Sequence, residues 1–285
     1  MHVVLLSLVS SGACSGERVP VLACRDALRA AGAEVTTLAA GSDQEIDPSF
    51  ADLDDERRLV VAAATDGEVR AVIRRMVRRY APPPSKRPDD LPPDRTVYDL
   101  PPIGILPLDA RTPPDLVKRL GLPTTPERVA EAVLSGTTRR LDLFRTDSGS
   151  VTLNGALIGG ADEQGRATAW YGRIEVDDAV LSDGTEPLMA CVVANAAGYG
   201  TVDDLPLAGS PTPDDGKLDV GVALPVVQRG LMRRKLRVEV RRVHGRAVAV
   251  TPRDDVPYLD DGVAGTLGRK RSWWIERGAW AVYTG

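Results

Sequence analysis

The sequence has few of the residue types that build disulfide-stabilised or metal-binding scaffolds. Among its 285 residues are three cysteines, Cys14, Cys24 and Cys191, and two histidines. An odd, widely spaced set of cysteines has neither the even number of a disulfide framework nor the spacing of zinc ligands. This content favours a reducing compartment, and we expect a cytoplasmic protein.

Long hydrophobic runs and a strong net charge are also missing. The apolar stretch at residues 3–9 is shorter than the roughly 20 residues that span a bilayer, and no basic segment precedes it as in a secretory signal. Lys and Arg number 36 against 40 Asp and Glu, which gives a net charge of −4. We therefore expect no nucleic-acid partner, and membrane contact only where basic residues cluster locally.

The sequence does contain enough apolar residues for a sizeable core. Hydrophobic residues make up 43% of the chain and charged residues 27%, a composition typical of globular proteins. The chain is longer than a usual domain of roughly 100 to 200 residues. We expect two domains, residues 1–140 and 141–285.

The first 140 residues alternate between the patterns of buried strands and amphipathic helices. The predicted strands are 3–9, 34–38, 58–64 and 103–107, and the predicted helices are 19–31 and 68–80. The pattern Thr124-x-x-Glu127 predicts a capping box at the start of a further helix, and Gly136 predicts its end. This alternation indicates an α/β domain with a parallel sheet, whose ligands bind beyond the carboxyl ends of the strands.

From Asp142 onward the sequence consists of short β-rich segments separated by Gly and Asp. The predicted strands are 151–158, 167–176, 188–195, 218–224, 236–243 and 247–250. They indicate an antiparallel, β-sandwich-like second domain. Trp273, Trp274 and Trp280 are expected to pack in the interior.

The segment 64–68 (ATDGE) lies between a predicted buried strand and a predicted helix. Backbone amides and the helix dipole at such a position can face a nucleotide phosphate. The same residues also fit a tight turn, in which Gly67 relieves strain and Glu68 caps the helix. Both interpretations remain open at this stage.

Further motifs follow in a fixed order along the chain. They are 62–72 (AAATDGEVRAV), 103–108 (IGILPL), 115–123 (DLVKRLGLP), 139–143 (RRLDL), 210–220 (SPTPDDGKLDV) and Asp261-Gly262. In this order they resemble the diacylglycerol kinase family of lipid kinases, which are relatives of the sphingosine and NAD kinases.

The resemblance implies an activity and a set of site residues. It implies ATP- and Mg²⁺-dependent phosphoryl transfer to a lipid or small hydroxyl acceptor, with Asp66 and Asp142 as catalytic acids. The implied nucleotide contacts are Ser11, Gly12, Thr65, Asp66, Gly67 and Glu68. The implied magnesium ligands are Asp215 and the backbone carbonyls of Thr212 and Lys217, although the same residues also fit a Pro-Asp-Asp-Gly turn that leads into a strand. The resemblance is also compatible with a homodimer.

Several positions depart from the family pattern. Ala64 and Thr65 replace two glycines, and Glu68 stands where the family has threonine. Val263 replaces the glutamate that, in the family, takes the proton from the lipid hydroxyl. The alternative to an active kinase is therefore a non-catalytic protein that keeps the kinase fold for binding or scaffolding.

Basic residues form two clusters. One comprises Arg70, Arg74, Arg75, Arg78 and Arg79, and the other comprises Arg233, Arg234, Lys235, Arg237, Arg241 and Arg242. Each is either a solvated face or a contact with anionic lipid headgroups, which attract nearby basic residues by about 1 kcal/mol each. The second interpretation adds peripheral membrane association to the expected cytoplasmic location.

Overall fold

The computed structural model describes residues 1–8, 18–53, 56–82, 86–161, 167–196, 198–202, 205–229 and 234–285. The chain divides into two compact units, Met1–Leu141 with Gly278–Gly285, and Asp142–Arg277. The expected division at residues 140 and 141 did not anticipate that the last eight residues belong to the first unit. They return because Val282 pairs in parallel with Ile103, a long-range contact that no local pattern reveals.

The first unit is built from alternating strands and helices. They are β1 His2–Leu8, α1 Val19–Ala30, β2 Glu34–Ala40, α2 Asp43–Ile46, a 3₁₀ turn Asp47–Phe50, β3 Arg57–Ala63, α3 Asp66–Tyr80, β4 Ile103–Pro107, α4 Asp115–Leu120 and α5 Pro126–Ser135. Strands β2, β1, β3 and β4 are neighbours in that order, and all pair in parallel. The predicted parallel α/β domain is confirmed.

Both faces of this sheet are buried. Val3 and Leu5 pack in one apolar cluster with Leu28 of α1 and Val133 of α5. The intervening residues of β1 are also buried, and α3 buries its own apolar stripe, Val69, Val72, Ile73, Met76 and Val77. Burial on two faces explains why the sequences of these strands are continuous apolar runs.

The N-cap of helix α5 lies one residue later than predicted. The N-cap is Thr125, whose hydroxyl accepts a hydrogen bond from the Arg128 N–H at 3.4 Å. The predicted Thr124–Glu127 capping box is therefore wrong. Pro126 fixes the start, because a residue without an N–H suits the first helical position. Gly136 ends the helix in the left-handed conformation at φ 74°, as expected.

The second unit is formed almost entirely of strands. They are β5 Thr138–Thr146, β6 Val151–Thr152, β7 Gly155–Ile158, β8 Gly160–Ala161, β9 Ala167–Thr168, β10 Gly172–Val176, β11 Ala179–Asp183, β12 Ala190–Ala194, β13 Thr201–Val202, β14 Leu205–Pro206, β15 Leu218–Arg229, β16 Arg234–Gly245, β17 Ala247–Pro252, β18 Val256–Asp260, β19 Val263–Leu267 and β20 Arg271–Tyr283. Strand β5 begins in the first unit, and strand β20 ends in it. One antiparallel sheet has the order β16-β15-β12-β7-β18-β19. Strands β11, β10, β17 and β20 form the other antiparallel layer.

The two layers share one apolar core, which confirms the predicted sandwich-like domain. Cys191 and Val193 of β12 pack in the same cluster as Ile174 of β10, Val250 of β17 and Trp273 of β20. The alternate residues of β12 pack on the opposite side in a second cluster that includes Leu207 and Ala208. This cover explains why β12 is apolar on both faces.

The three C-terminal tryptophans are interior residues to different degrees. Trp273 and Trp280 are fully buried, as predicted. Trp274 is half-buried, and its Nε1 donates to Glu276 Oε1 at 3.0 Å. Among the described residues, no helix is long and apolar enough to cross a bilayer.

Buried thiols predict slow labelling of the folded protein. Burial raises the pKa of Cys24, helped by the negative charge of Glu127, and raises that of Cys191, in each case from 9.0 to about 12. Because the thiolate is the reactive form, iodoacetamide at pH 8 should leave both residues unmodified in native protein and modify both in denaturant. Peptide mass spectrometry measures this, and equal labelling in the two states would contradict it.

The same pKa shifts determine how the stability of the folded protein depends on pH. A thiol whose pKa is raised by folding contributes stability that is complete below its unfolded value of 9.0 and is lost as pH rises towards 12. Unfolding by urea at a series of pH values should therefore show a loss of stability across this window, reduced in Cys191→Ala.

Candidate functional site

The predicted phosphate loop lies where expected, between β3 and α3. Thr65 is the N-cap of α3, and its hydroxyl accepts from the Glu68 N–H at 3.3 Å. The Glu68 carboxylate turns back and accepts from the Ala64 N–H, with Oε2 at 2.6 Å. Gly67 lies within the first helical turn, so it does not relieve strain in a tight turn. The sequence left open whether this segment faces a phosphate or forms a turn in which Glu68 caps the helix. In the structure, Glu68 caps the helix.

Asp66 is tied to the segment that follows β4. Its side chain is 9% exposed, and Oδ1 accepts from the Leu116 N–H at 3.0 Å in the first turn of α4. The carboxylate therefore links two of the sequence motifs, 62–72 and 115–123. Ser11 and Gly12, the other implied nucleotide contacts, lie outside the described residues.

The turn after β4 satisfies its own polar groups. Asp109 accepts from the Arg111 N–H at 2.8 Å and from the Thr112 hydroxyl at 2.6 Å. The Thr112 hydroxyl, followed by the Arg111 amide, holds the pKa of Asp109 below its ordinary value of 3.8. The turn adjoins the phosphate loop, because the Leu108 N–H donates to Ala63 O at 3.0 Å.

This geometry places a negatively charged group of the protein itself on the predicted phosphate loop. The amide of Ala64, one of the amides of this loop, is occupied by Glu68. Two like charges about 4 Å apart repel by roughly 4 kcal/mol at an effective dielectric constant near 20. A phosphate on this loop would therefore have to displace Glu68 and overcome its charge.

In the second unit, Asp142 anchors the turn that carries the predicted metal ligands. Asp142 is fully buried, and its Oδ2 accepts from the Gly216 N–H at 2.6 Å. Its own N–H donates to Pro213 O at 2.6 Å, and Asn195 Nδ2 donates to its carbonyl at 3.0 Å. The structure thus brings together two motifs that the sequence showed separately, 139–143 and 210–220.

The implied magnesium ligands lie on this turn. Asp215 is exposed, its Oδ1 accepts from the Lys217 N–H at 2.9 Å, and its own N–H donates to Thr212 O at 3.4 Å. Asp219 lies near Asp215, and the sequence analysis did not identify it. Its burial, together with the negative charge of Asp215, raises its pKa above 3.8. The spacing of two acids four residues apart in 215–219 could have indicated it.

These donors do not form a complete site for a resident metal. Mg²⁺ requires several oxygen ligands in octahedral geometry. Within the described part of the chain, no group of three or more His, Cys, Asp or Glu side chains could hold a metal ion. The Thr212 carbonyl and one oxygen of Asp215 already accept hydrogen bonds. The set Thr212, Asp215 and Lys217 stays a prediction.

Asp261 lies at the turn between β18 and β19, at the position of the late family motif. Its φ is 49°, in the left-handed region, and its buried carboxylate accepts from three backbone amides. The donors are Leu153 at 2.8 Å, Asn154 at 2.7 Å and Gly155 at 3.2 Å. Val263 begins β19 with 47% of its surface exposed. The acid is therefore an anchor, and an apolar side chain stands in place of the base.

Three arginines of the basic clusters form ion pairs within the protein. Arg74 pairs with Asp43 at 2.7 Å, Arg75 pairs with Asp47, and Arg241 pairs with Glu186 at 2.6 Å. Within the described part of the chain, the exposed residues Arg78 and Arg79 have no ion pair or hydrogen bond. Arg233 lies outside the described residues.

The fold and the loop after β3 define a two-unit protein with a kinase-like architecture. Residues 2–146 match the model of the diacylglycerol kinase catalytic domain, and the chain belongs to that family. The match ends at the last residue of β5, so it covers the phosphate loop and Asp142.

Solved structures extend the likeness to the whole fold. A diacylglycerol kinase from Bacillus anthracis str. Sterne superposes with a TM-score of 0.64 at 15% identity, covering 99% of this chain and 96% of that one. Two further structures from the same organism give TM-scores of 0.65 and 0.66 at 14% and 16% identity, each covering 99% of this chain and 96% and 97% of their own. No curated protein matches the sequence.

Proposed function

We propose that this chain is a non-catalytic member of the diacylglycerol kinase family, which keeps the fold to bind a ligand or partner. The hydrogen bond from the Ala64 N–H to the Glu68 carboxylate carries the proposal, because an internal anion takes the place of the phosphate. A side chain that is covalently part of the loop competes without any loss of translational entropy.

The acids that remain have structural partners. Asp66 is held by the Leu116 amide, Asp142 by the Gly216 amide, and Asp261 by the amides of the 153–155 loop. Val263 cannot accept a proton from a hydroxyl group. Thus the residues that a transfer reaction would need are either replaced or engaged in holding the backbone.

The second candidate is ATP- and Mg²⁺-dependent phosphoryl transfer to a lipid or small hydroxyl acceptor. It is favoured by the retention of Asp66 and Asp142, both buried at family positions. In such a reaction, these acids would organise metal and phosphate, and catalysis would come from positioning and charge neutralisation.

Calorimetry and turnover assays distinguish the two candidates. Titration with millimolar ATP, with and without Mg²⁺, should show no binding by the wild-type protein. Diacylglycerol, sphingosine and small polyols should remain unphosphorylated, and Val263→Glu alone should not introduce turnover, since the phosphate loop stays occupied. Stoichiometric ATP binding with turnover that Asp66→Asn abolishes would establish the second candidate instead.

Glu68→Thr tests the occupied loop directly. This variant restores the family residue and frees the Ala64 amide, so ATP affinity should rise at least tenfold relative to wild type, or about 1.4 kcal/mol. Glu68→Gln keeps a hydrogen-bond acceptor but removes the charge, so its ATP affinity should rise less than that of Glu68→Thr. Glu131→Gln, an exposed residue of α5, is the matched control and should change nothing. Unchanged ATP affinity in Glu68→Thr would contradict the proposal.

We further propose a cytoplasmic location with peripheral contact to anionic membranes through Arg78 and Arg79. Each exposed basic residue near such a surface contributes about 1 kcal/mol. Sedimentation with phosphatidylserine liposomes at low salt should pull down wild type more than Arg78→Gln/Arg79→Gln, and added salt should remove the difference. Equal sedimentation of the two proteins would reject this contact.

A further inference from the structure

The parallel sheet of the first unit ends in a strand whose outer edge is unpaired. Strand β2, Glu34–Ala40, is the last in the order β4-β3-β1-β2, and among the described residues it pairs only with β1. Its sequence, EVTTLAA, contains no proline, lysine or arginine, and its only charge is at Glu34. Ala39 is exposed and Thr37 is half-buried, so the strand is accessible to solvent. Such an edge can pair with a strand of another chain.

The backbone groups that face this edge belong to alternate residues. In a parallel ladder, the N–H and C=O groups of one residue point to the same side, and successive residues alternate between the two sides. The Glu34 N–H donates to Met1 O at 3.1 Å, so the even residues of β2 face β1. The outward residues are therefore Val35, Thr37 and Ala39. Arg29 Nη2 donates to Val35 O at 3.4 Å, and within the described residues no other hydrogen bond reaches these outward groups.

The end strands β16, β11 and β19 of the second unit have features that oppose pairing with themselves. Strand β16 contains five Lys and Arg residues and one Glu, so two copies of it would place like charges opposite each other. Strand β11 pairs with β10 through a register shift between Ile174 and Glu175, and β19 has only five residues. Charges, irregular pairing and short strands all protect sheet edges. Strand β2 is longer than β19, pairs without a register shift and has no charge after Glu34.

We propose that β2 pairs in antiparallel orientation with β2 of a second copy of this chain, with Thr37 at the two-fold axis. In this register, Thr37 lies opposite the partner's Thr37, and Val35 lies opposite the partner's Ala39. The outward groups of these residues then form about six hydrogen bonds between the copies. No like charges lie directly opposite each other, because Glu34 faces the partner's Ala40. Since each copy uses the same edge, the assembly closes at two chains.

The interface is small, so the dimer should be weak. A strand of seven residues is about 23 Å long, and one pair of such strands makes an interface at the low end of known sizes, below about 1,200 Å². We therefore expect a dissociation constant on the order of 10 to 100 µM. None of the candidate nucleotide or magnesium contacts lies on β2, so this proposal does not depend on the proposed function.

Sedimentation equilibrium of the full-length protein measures the dimer. The apparent mass should rise from 30.4 kDa towards twice this value as the protein concentration increases from about 1 to about 500 µM. Because Thr37 meets its own copy, Thr37→Glu and Thr37→Lys should each raise the dissociation constant at least about tenfold through like-charge repulsion. An equimolar mixture of the two variants should dimerise again, which also shows that both are folded. Thr266→Lys, at an exposed position of β19, is the matched control and should leave the dimer unchanged.

Cysteine substitutions test the register without adding charge. In a hydrogen-bonded antiparallel pair, the two Cα atoms are about 5.5 Å apart, a distance that a disulfide can bridge. With oxidised glutathione as the oxidant, Thr37→Cys should form a disulfide-linked dimer. Ala39→Cys should not, because its opposite residue is the partner's Val35. Wild-type protein gives the baseline for the three native cysteines.

Three results would overturn the proposal. The first is a monomer at every concentration, which would leave the edge of β2 to a strand of a different protein. The second is a dimer whose dissociation constant is the same in wild type, Thr37→Glu and Thr37→Lys. The third is equal cross-linking of Thr37→Cys and Ala39→Cys.

Discussion

Asp261→Ala is expected to lower the free energy of unfolding by at least about 4 kcal/mol, the largest effect among the site residues. The substitution leaves the amides of Leu153, Asn154 and Gly155 without their charged acceptor, and hydrogen bonds to charged groups contribute about 1.5 to 3 kcal/mol each. Alanine also tolerates the left-handed φ of 49° poorly, at a cost of about 1 kcal/mol. Urea denaturation followed by circular dichroism measures the change.

Asp261→Asn separates the two causes. Asparagine tolerates the left-handed conformation, but its NH₂ group would face an N–H donor where the carboxylate has an oxygen. We therefore expect an intermediate loss of about 2 kcal/mol. A loss below about 1 kcal/mol in Asp261→Ala would show that the three amides find other acceptors and that the anchoring role is wrong.

Asp142→Ala is expected to cost about 3 kcal/mol, because it leaves the Gly216 amide without its charged acceptor and creates a cavity beneath a fully buried side chain. The turn at 213–216 should loosen, and amide exchange of Gly216 should accelerate. Hydrogen-exchange NMR and urea denaturation measure the two effects.

The controls for Asp142 distinguish anchoring from charge alone. Asp142→Asn keeps an oxygen that can accept from Gly216 and should lose about half as much stability. Asp178→Ala removes an exposed carboxylate from the same unit and should change stability by less than about 0.5 kcal/mol. Equal losses in Asp142→Asn and Asp142→Ala would mean that the negative charge, rather than the acceptor atom, stabilises the turn.

Local patterns predicted the regular elements well wherever one period dominated the sequence. Strands β1 and β3 were placed within one residue, because burial on both faces produces unbroken apolar runs. Helix α5 was found as well, but its cap was misplaced by one residue since Thr124 and Thr125 are both good capping residues. Pro126 decided between them.

The sequence predicted which residues belong to the candidate sites. It did not predict which groups those residues contact. The sequence located Asp66, Asp142 and Asp215, and it left open whether Glu68 faces a phosphate or caps its own helix. The answer required coordinates, because a side chain on the first helical turn can reach either solvent or the preceding amide. Asp219 was missed because its effect arises from the proximity of Asp215 after folding.

The sequence by itself determined the alternation of strands and helices in the first unit, the position of the predicted phosphate loop and the loss of the family glutamate at Val263. Only the tertiary structure decided what the retained acids hold. Asp142 meets Gly216 across 74 residues, and Asp261 meets Asn154 across 107. Periodicity reports which face of an element is buried, whereas such partners are set by the packing of distant segments, where an unpaired buried carboxylate would be too costly to keep.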